Sequence, residues 1–153
     1  MRTSSIQTVS TPVSATALVL RHARRLHRAA RSGSLGAALP AIRRVHAAGL
    51  FPGQALSALY REREQLQRKH FLRALAIEAG FPDWEQYRPQ LDQLPPAAVD
   101  HLKVGTEWRG FCHAWFSTEA EARAHADAHG GRVLKVGAQA VVISPEAEAG
   151  GAR

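Results

Sequence analysis

A chain of 153 residues that is 45% hydrophobic can form one ordinary domain or two very small ones, and it is too apolar to be a disordered polymer. Its single cysteine, Cys112, excludes an intramolecular disulfide and fits a reducing cytoplasm; no apolar run approaches the ~20 residues a membrane span needs. The formal charge of +7 hides an asymmetry, because residues 1–73 hold thirteen Arg/Lys against two acids, Glu62 and Glu64, while residues 74–153 hold seven against eleven. A half-chain so poor in acids favours a polyanion or an acidic protein surface as its partner.

Residues 1–11, "MRTSSIQTVST", are polar and aperiodic and read as a flexible arm. Thr11 with Pro12, or Ser14 slightly later, can start a helix running to about Arg31. At 100° per residue Val19, Ala23, Leu26 and Ala30 gather on one side, and Arg21, Arg24, Arg25, Arg28 and Arg31 fall within an arc of about 120° on the other. "RSGSLG" ends this helix and offers Ser34 as the next cap. A second helix carries Leu35, Leu39, Ile42 and Val45 and stops at Gly49; Pro40 either kinks it or stands in its first turn. A third, long helix is expected from about Ser57 to Ala79, with Leu59, Leu66, Phe71, Leu75 and Ile77 inward and Glu64–Arg68 as an i,i+4 pair.

"EAGFPDWEQ" then reads as a junction between helices. Gly80 supplies the left-handed cap, Phe81 folds back, and Asp83 with Gln86 forms a capping box. Pro89 shortens or bends the helix that follows, and "LPPAAVDHL" reads as a hinge with one or two helical turns. Beyond about residue 103, "GFCHAWF" is an extended segment, and Thr118 with Glu121 caps "EAEARAHADAH", which Gly130-Gly131 stops. "RVLKV-GA-QAVVI" reads as two strands about a two-residue turn.

The expected fold class is therefore α+β, mainly α. An arm over 1–11 precedes a basic bundle of about four helices over 12–94, then a hinge with a short helix over 95–103. A β-α-β-β module over 104–144 and a disordered tail over 145–153 complete the chain. Aromatics are sparse and alanine is abundant, so the helices should approach one another closely.

Two stretches resemble known sequences. "AIEAGFPDWEQYRPQL" resembles the short helical pair with a glycine–phenylalanine–x–x–tryptophan turn that precedes other domains in many bacterial proteins, some with ankyrin repeats. "WFSTEAEARAHADAHGGRVLKVGAQAVVI" resembles the C-terminal module of an uncharacterised family of small proteobacterial proteins, in which a "WF" strand, a helix, a double glycine and a final strand recur. Together they cover less than a third of the chain, and their motifs are those of packing and capping. The resemblance implies a fold family and a bacterial source, with no activity and no catalytic residue to carry over.

Several constellations compete for a functional role. The row Arg21, Arg24, Arg25, Arg28 and Arg31 could neutralise phosphates and release counterions, with Arg43 and Arg44, and further on Arg61, Arg63, Arg68 and Lys69, extending the patch. Against this stands a solvated helix face in an arginine-rich protein, although such a face usually mixes signs. A mitochondrial presequence shares the same composition, but the apolar stripe of the first helix continues the core pattern of its neighbours.

His125 and His129 have the i,i+4 spacing of a metal-binding pair. A third ligand would have to be Cys112 or His113, which point to opposite faces if the segment is a strand. The competing reading is two histidines in the last turn of a helix, complementing its dipole. Trp84, Trp108 and Trp115 raise base stacking, but they lie away from the arginines.

No G-x-S-x-G, P-loop or dinucleotide fingerprint is present, and Cys112–His113 are poorly placed as nucleophile and base. The expectation is a small cytoplasmic, non-enzymatic bacterial protein without cofactor or membrane contact. It would bind DNA or RNA phosphates through Arg21, Arg24, Arg25, Arg28, Arg31, Arg43 and Arg44; the alternative is an adaptor docking on an acidic protein partner.

Overall fold

Ser14, rather than Thr11, caps the first helix: its hydroxyl accepts the Ala17 N–H at 3.1 Å, and helix α1 spans Ala15–Ala30. The computed structural model describes residues 13–103, 113–136 and 139–150. The expected arm, Trp108, Cys112, the Gly137-Ala138 turn and the last three residues lie outside the described residues. Two compact units follow one another along the chain, divided between Pro96 and Ala97.

In the first unit, α1 buries Ala15, Val19, Ala23 and Ala30, with Leu26 half-buried beside them. Helix α2, Leu35–Ala47, meets it with Ala38, Ala41, Ile42 and Val45. The small residues on both helices allow the close approach that the alanine content implies. Leu35, expected inward, is 54% exposed because it opens the helix, ahead of the first buried turn at Ala38. Pro40 lies inside α2 on an exposed position, not in its first turn. The hydrogen bond it cannot donate belongs to the exposed carbonyl of Gly36, which water can satisfy.

The long third helix does not form. In its place are α3 (Leu56–Arg61), a 3-10 turn over Arg63–Gln65, and α4 (Arg68–Glu78), with Leu66 and Gln67 extended between them. The hydrophobic phase explains the break. Five residues at 100° each put Phe71 about 140° round from Leu66, so one continuous helix could not direct both into the same core. Breaking the helix buries Leu59, Leu66, Phe71, Leu72 and Leu75 together. Fully burying a side chain such as Phe71 is worth about 1.5–3 kcal/mol, enough to offset two or three backbone hydrogen bonds at about 1 kcal/mol each. Ile77, also expected inward, is only half-buried.

Helix α4 ends as the sequence indicates. Gly80 takes φ +92, its N–H bonds to Ile77 O, and the Phe81 N–H returns to Ala76 O at 2.9 Å, a Schellman closure. Asp83 accepts the Gln86 N–H at 2.8 Å and starts α5, Trp84–Leu91. Phe81 stacks on Tyr87 of α5 at 5.1 Å, so the turn is pinned from its far side. Thr16 of α1 donates to Asp92 at 2.5 Å, joining the end of α5 to the start of α1.

A 3-10 segment that starts at the boundary, over Pro96–Lys103, leads into the second unit, which holds strand β1 (Ala114–Phe116), helix α6 (Glu119–His129), and strands β2 (Arg132–Val136) and β3 (Gln139–Ile143). The sheet order is β1-β3-β2 with both pairings antiparallel, placing Trp115 opposite Val141 and Val133 opposite Val142. Alternation then divides the sheet: Ala140 and Val142 pack on Ala122 of α6, while Val141 and Ile143 face the other way. Thr118 caps α6 by accepting the Glu121 N–H.

The tail read as disordered from residue 145 begins instead as a short helix, α7, over Pro145–Gly150. Ala147 buries completely against Val141 and Ile143, and Glu148 pairs with Arg132, giving the segment an anchor that its polar composition conceals. Arg132 also reaches the buried Asp100 at 2.8 Å, and Lys103 holds the same carboxylate at 3.0 Å. The described chain is thus α+β and mainly α.

Candidate nucleic-acid interface

The seven arginines singled out from sequence divide into two groups. Arg21, Arg24, Arg25 and Arg28 are exposed along α1, and Arg43 is exposed on α2. Among the described residues none of these five pairs with a carboxylate. Arg31 and Arg44 are engaged. Arg31, at the end of α1, donates from Nη2 and Nε to one oxygen of Glu64 at 3.0 and 3.3 Å. Arg44 forms a two-point fork on Glu78, at 3.0 Å from Nε and 2.5 Å from Nη2, and its Nη1 donates to His22 Nε2 at 2.8 Å.

The two acids that offset this face therefore come from distant sequence, Glu64 from the 3-10 turn and Glu78 from the end of α4. The expected Glu64–Arg68 pair is not made. Its i,i+4 geometry requires an unbroken helix, and the extended Leu66–Gln67 link separates the two residues. Glu64 turns to Arg31 instead, and Arg68 is left without an acid among the described residues.

Breaking the helix builds a groove. Arg24, Arg28 and Arg31 follow one another at i, i+4 and i+7 along α1, and Arg68, the first residue of α4, joins them, with His27 between. The groove is open and has a volume of about 670 Å³. His27 positions its wall: Nε2 lies 2.9 Å from the Leu66 carbonyl, at the extended link, and the ring rests on Phe71 at 5.8 Å. His70, in the first turn of α4, accepts the Gln67 N–H on Nδ1 at 2.9 Å. Burial, and then the neighbouring charges of Lys69, His27 and Arg73, hold its pKa below the ordinary histidine value, consistent with an acceptor nitrogen that must stay unprotonated.

Of the residues proposed to extend the patch, Arg61 and Lys69 are exposed. Arg63 instead lies over the Tyr60 ring at 4.4 Å and donates to the Tyr60 carbonyl. His27 carried no motif in the sequence; only its place beside Arg24 and Arg28 on α1 hinted at it.

His125 and His129 stack on each other at 4.4 Å, and His125 rests on Phe116 at 5.0 Å. No group of three or more His, Cys, Asp or Glu among the described residues could hold a metal ion. Trp84 packs edge-on against Tyr87, whereas Trp115 is 48% exposed on β1. No described helix is long and apolar enough to cross a membrane.

Fold and site together define a mainly helical α+β protein with an arginine-lined groove on its first unit. Comparison with protein families, with curated proteins and with solved structures finds no match to this chain.

Proposed function

We propose that the protein binds nucleic acid non-enzymatically, gripping phosphates with the exposed arginines of α1. The observation that carries this reading is the set Arg21, Arg24, Arg25 and Arg28: four guanidiniums on one helix face, none paired with an acid among the described residues. An ordinary solvated face mixes signs, and here the nearby acids are spent on Arg31 and Arg44 at the margins. Phosphate contacts of this kind carry no base information, so binding is insensitive to sequence.

Electrophoretic retention of a DNA and an RNA fragment tests the proposal. Retention is expected at low salt, weakening steeply as salt rises, and lost when Arg21, Arg24, Arg25 and Arg28 all become Gln. Absence of retention at low salt, or retention untouched by the four substitutions, refutes it. A protein that co-purifies and is released by the same substitutions would assign the face to an acidic protein partner instead.

A further inference from the structure

The groove arranges its charges differently from the rest of the arginine face. Arg21 and Arg25 belong to α1 alone and do not line it. Arg24, Arg28 and Arg31 form one side, and Arg68 comes from a second helix. Gathering four guanidiniums about one hollow is unfavourable by itself, because like charges repel. Among the described residues no acid lines it, and Glu64 offsets only Arg31, in a pair exposed on both sides. The hollow is thus matched to an anion with more charge and more acceptor oxygens than a single backbone linkage.

A phosphodiester presents one negative charge and two terminal oxygens. A terminal phosphomonoester presents about −1.5 to −2 charges at neutral pH and three strong acceptor oxygens. Guanidinium forks satisfy such oxygens in pairs, and forks on two helices can approach one phosphate from different directions. Arg68 stands at the first position of α4, where the helix dipole adds to its charge.

We infer that the groove formed by Arg24, Arg28, Arg31 and Arg68 prefers the terminal phosphomonoester of a nucleic-acid strand to the backbone linkage it otherwise holds, while Arg21 and Arg25 contact linkages beyond it. This rests on the phosphate-binding reading of α1. The occupant is a strand end, since the exposed arginines continue along α1 outside the groove and give the attached chain a path to follow. Glu64 is the resident carboxylate that the phosphate displaces from Arg31.

Three versions of one short, internally labelled oligonucleotide test it: 5′-phosphorylated, 3′-phosphorylated and hydroxyl at both ends, with binding followed by fluorescence anisotropy. One phosphorylated end is expected to bind about three- to tenfold more tightly than the hydroxyl strand, the increment of one typical net hydrogen bond. The preference should vanish in both Arg68→Gln and Arg28→Gln, whose side chains are exposed and whose folding is checked by thermal unfolding. Arg21→Gln should weaken all three strands by the same factor and leave the preference intact.

Equal binding of all three strands overturns the inference and leaves the backbone-binding proposal standing; no binding of any strand overturns both. A nucleoside 5′-monophosphate that competes as strongly as the phosphorylated strand also overturns the strand-end assignment, making the groove a site for free phosphate esters.

Discussion

The division between arginines that meet a described acid and those that do not predicts a quantitative split in salt dependence. On duplex DNA each phosphate neutralised contributes about 0.9 to the slope of log K against log salt. Substituting Gln at Arg21, Arg24, Arg25 and Arg28 removes four charges that no described acid offsets, so the slope should become shallower by about 3 to 4 units. Arg44→Gln is the internal control. Its charge is already met by the two-point fork on Glu78, so the slope should change by less than about half a unit. Stability should fall by about 1 kcal/mol, the upper end of the range for exposed ion pairs, because this pair is half-buried.

Glu64→Gln provides the opposite sign: it releases Arg31 and should steepen the slope by about one unit. Fluorescence anisotropy titrations of one hydroxyl-ended duplex across a salt series measure these variants together with the single substitution Arg21→Gln. Equal losses of slope from Arg44→Gln and from a single substitution on α1 would refute the reasoning, because pairing would then have no bearing on which arginines meet phosphate.

Two further predictions concern the scaffold. Gly131 has φ +106, and a Cβ there would lie 2.6 Å from the Ile143 carbonyl oxygen and 2.7 Å from Val142 Cγ1. Gly131→Ala should therefore destabilise the second unit by about 1–3 kcal/mol, read as a lowered urea midpoint, whereas Gly33→Ala, which meets nothing within 4 Å, should be nearly silent. His70 has its pKa lowered in the fold from 6.5, first by burial and then by Lys69, His27 and Arg73. The unfolded chain binds the proton more readily, so this contribution to stability is present above about pH 6.5 and is lost as pH falls from there through the lower folded value. Urea unfolding at about pH 7.5 and about pH 5.5 should show a smaller acid loss for His70→Gln than for the unaltered protein, and an unchanged loss would count against the lowered value.

Local chemistry made much of the fold legible in sequence. The Gly80–Phe81 reversal, the Asp83 and Thr118 caps, the stop at Gly130-Gly131 and the paired final strands depend on residues near one another in the chain, where backbone geometry and hydrogen bonding decide the outcome. The arginine face of α1 was legible for the same reason, since helical periodicity alone sets it. The break in the expected third helix also has a signal in the sequence: the apolar stripe shifts phase between Leu66 and Phe71. Propensity argued for continuity, and burial of both residues overrode it.

The sequence by itself determined the α+β composition, most helix ends, and which face of α1 carries charge, because these follow from spacing and caps. Only the tertiary structure decided which arginines meet an acid. Glu64 and Glu78 lie 33 and 34 residues from the arginines they meet, and no periodicity specifies such a pairing. The groove likewise exists only once the chain breaks at Leu66–Gln67 and brings Arg68 to Arg24, Arg28 and Arg31. Charge can be counted along a chain, but its compensation depends on which side chains the core's packing places together.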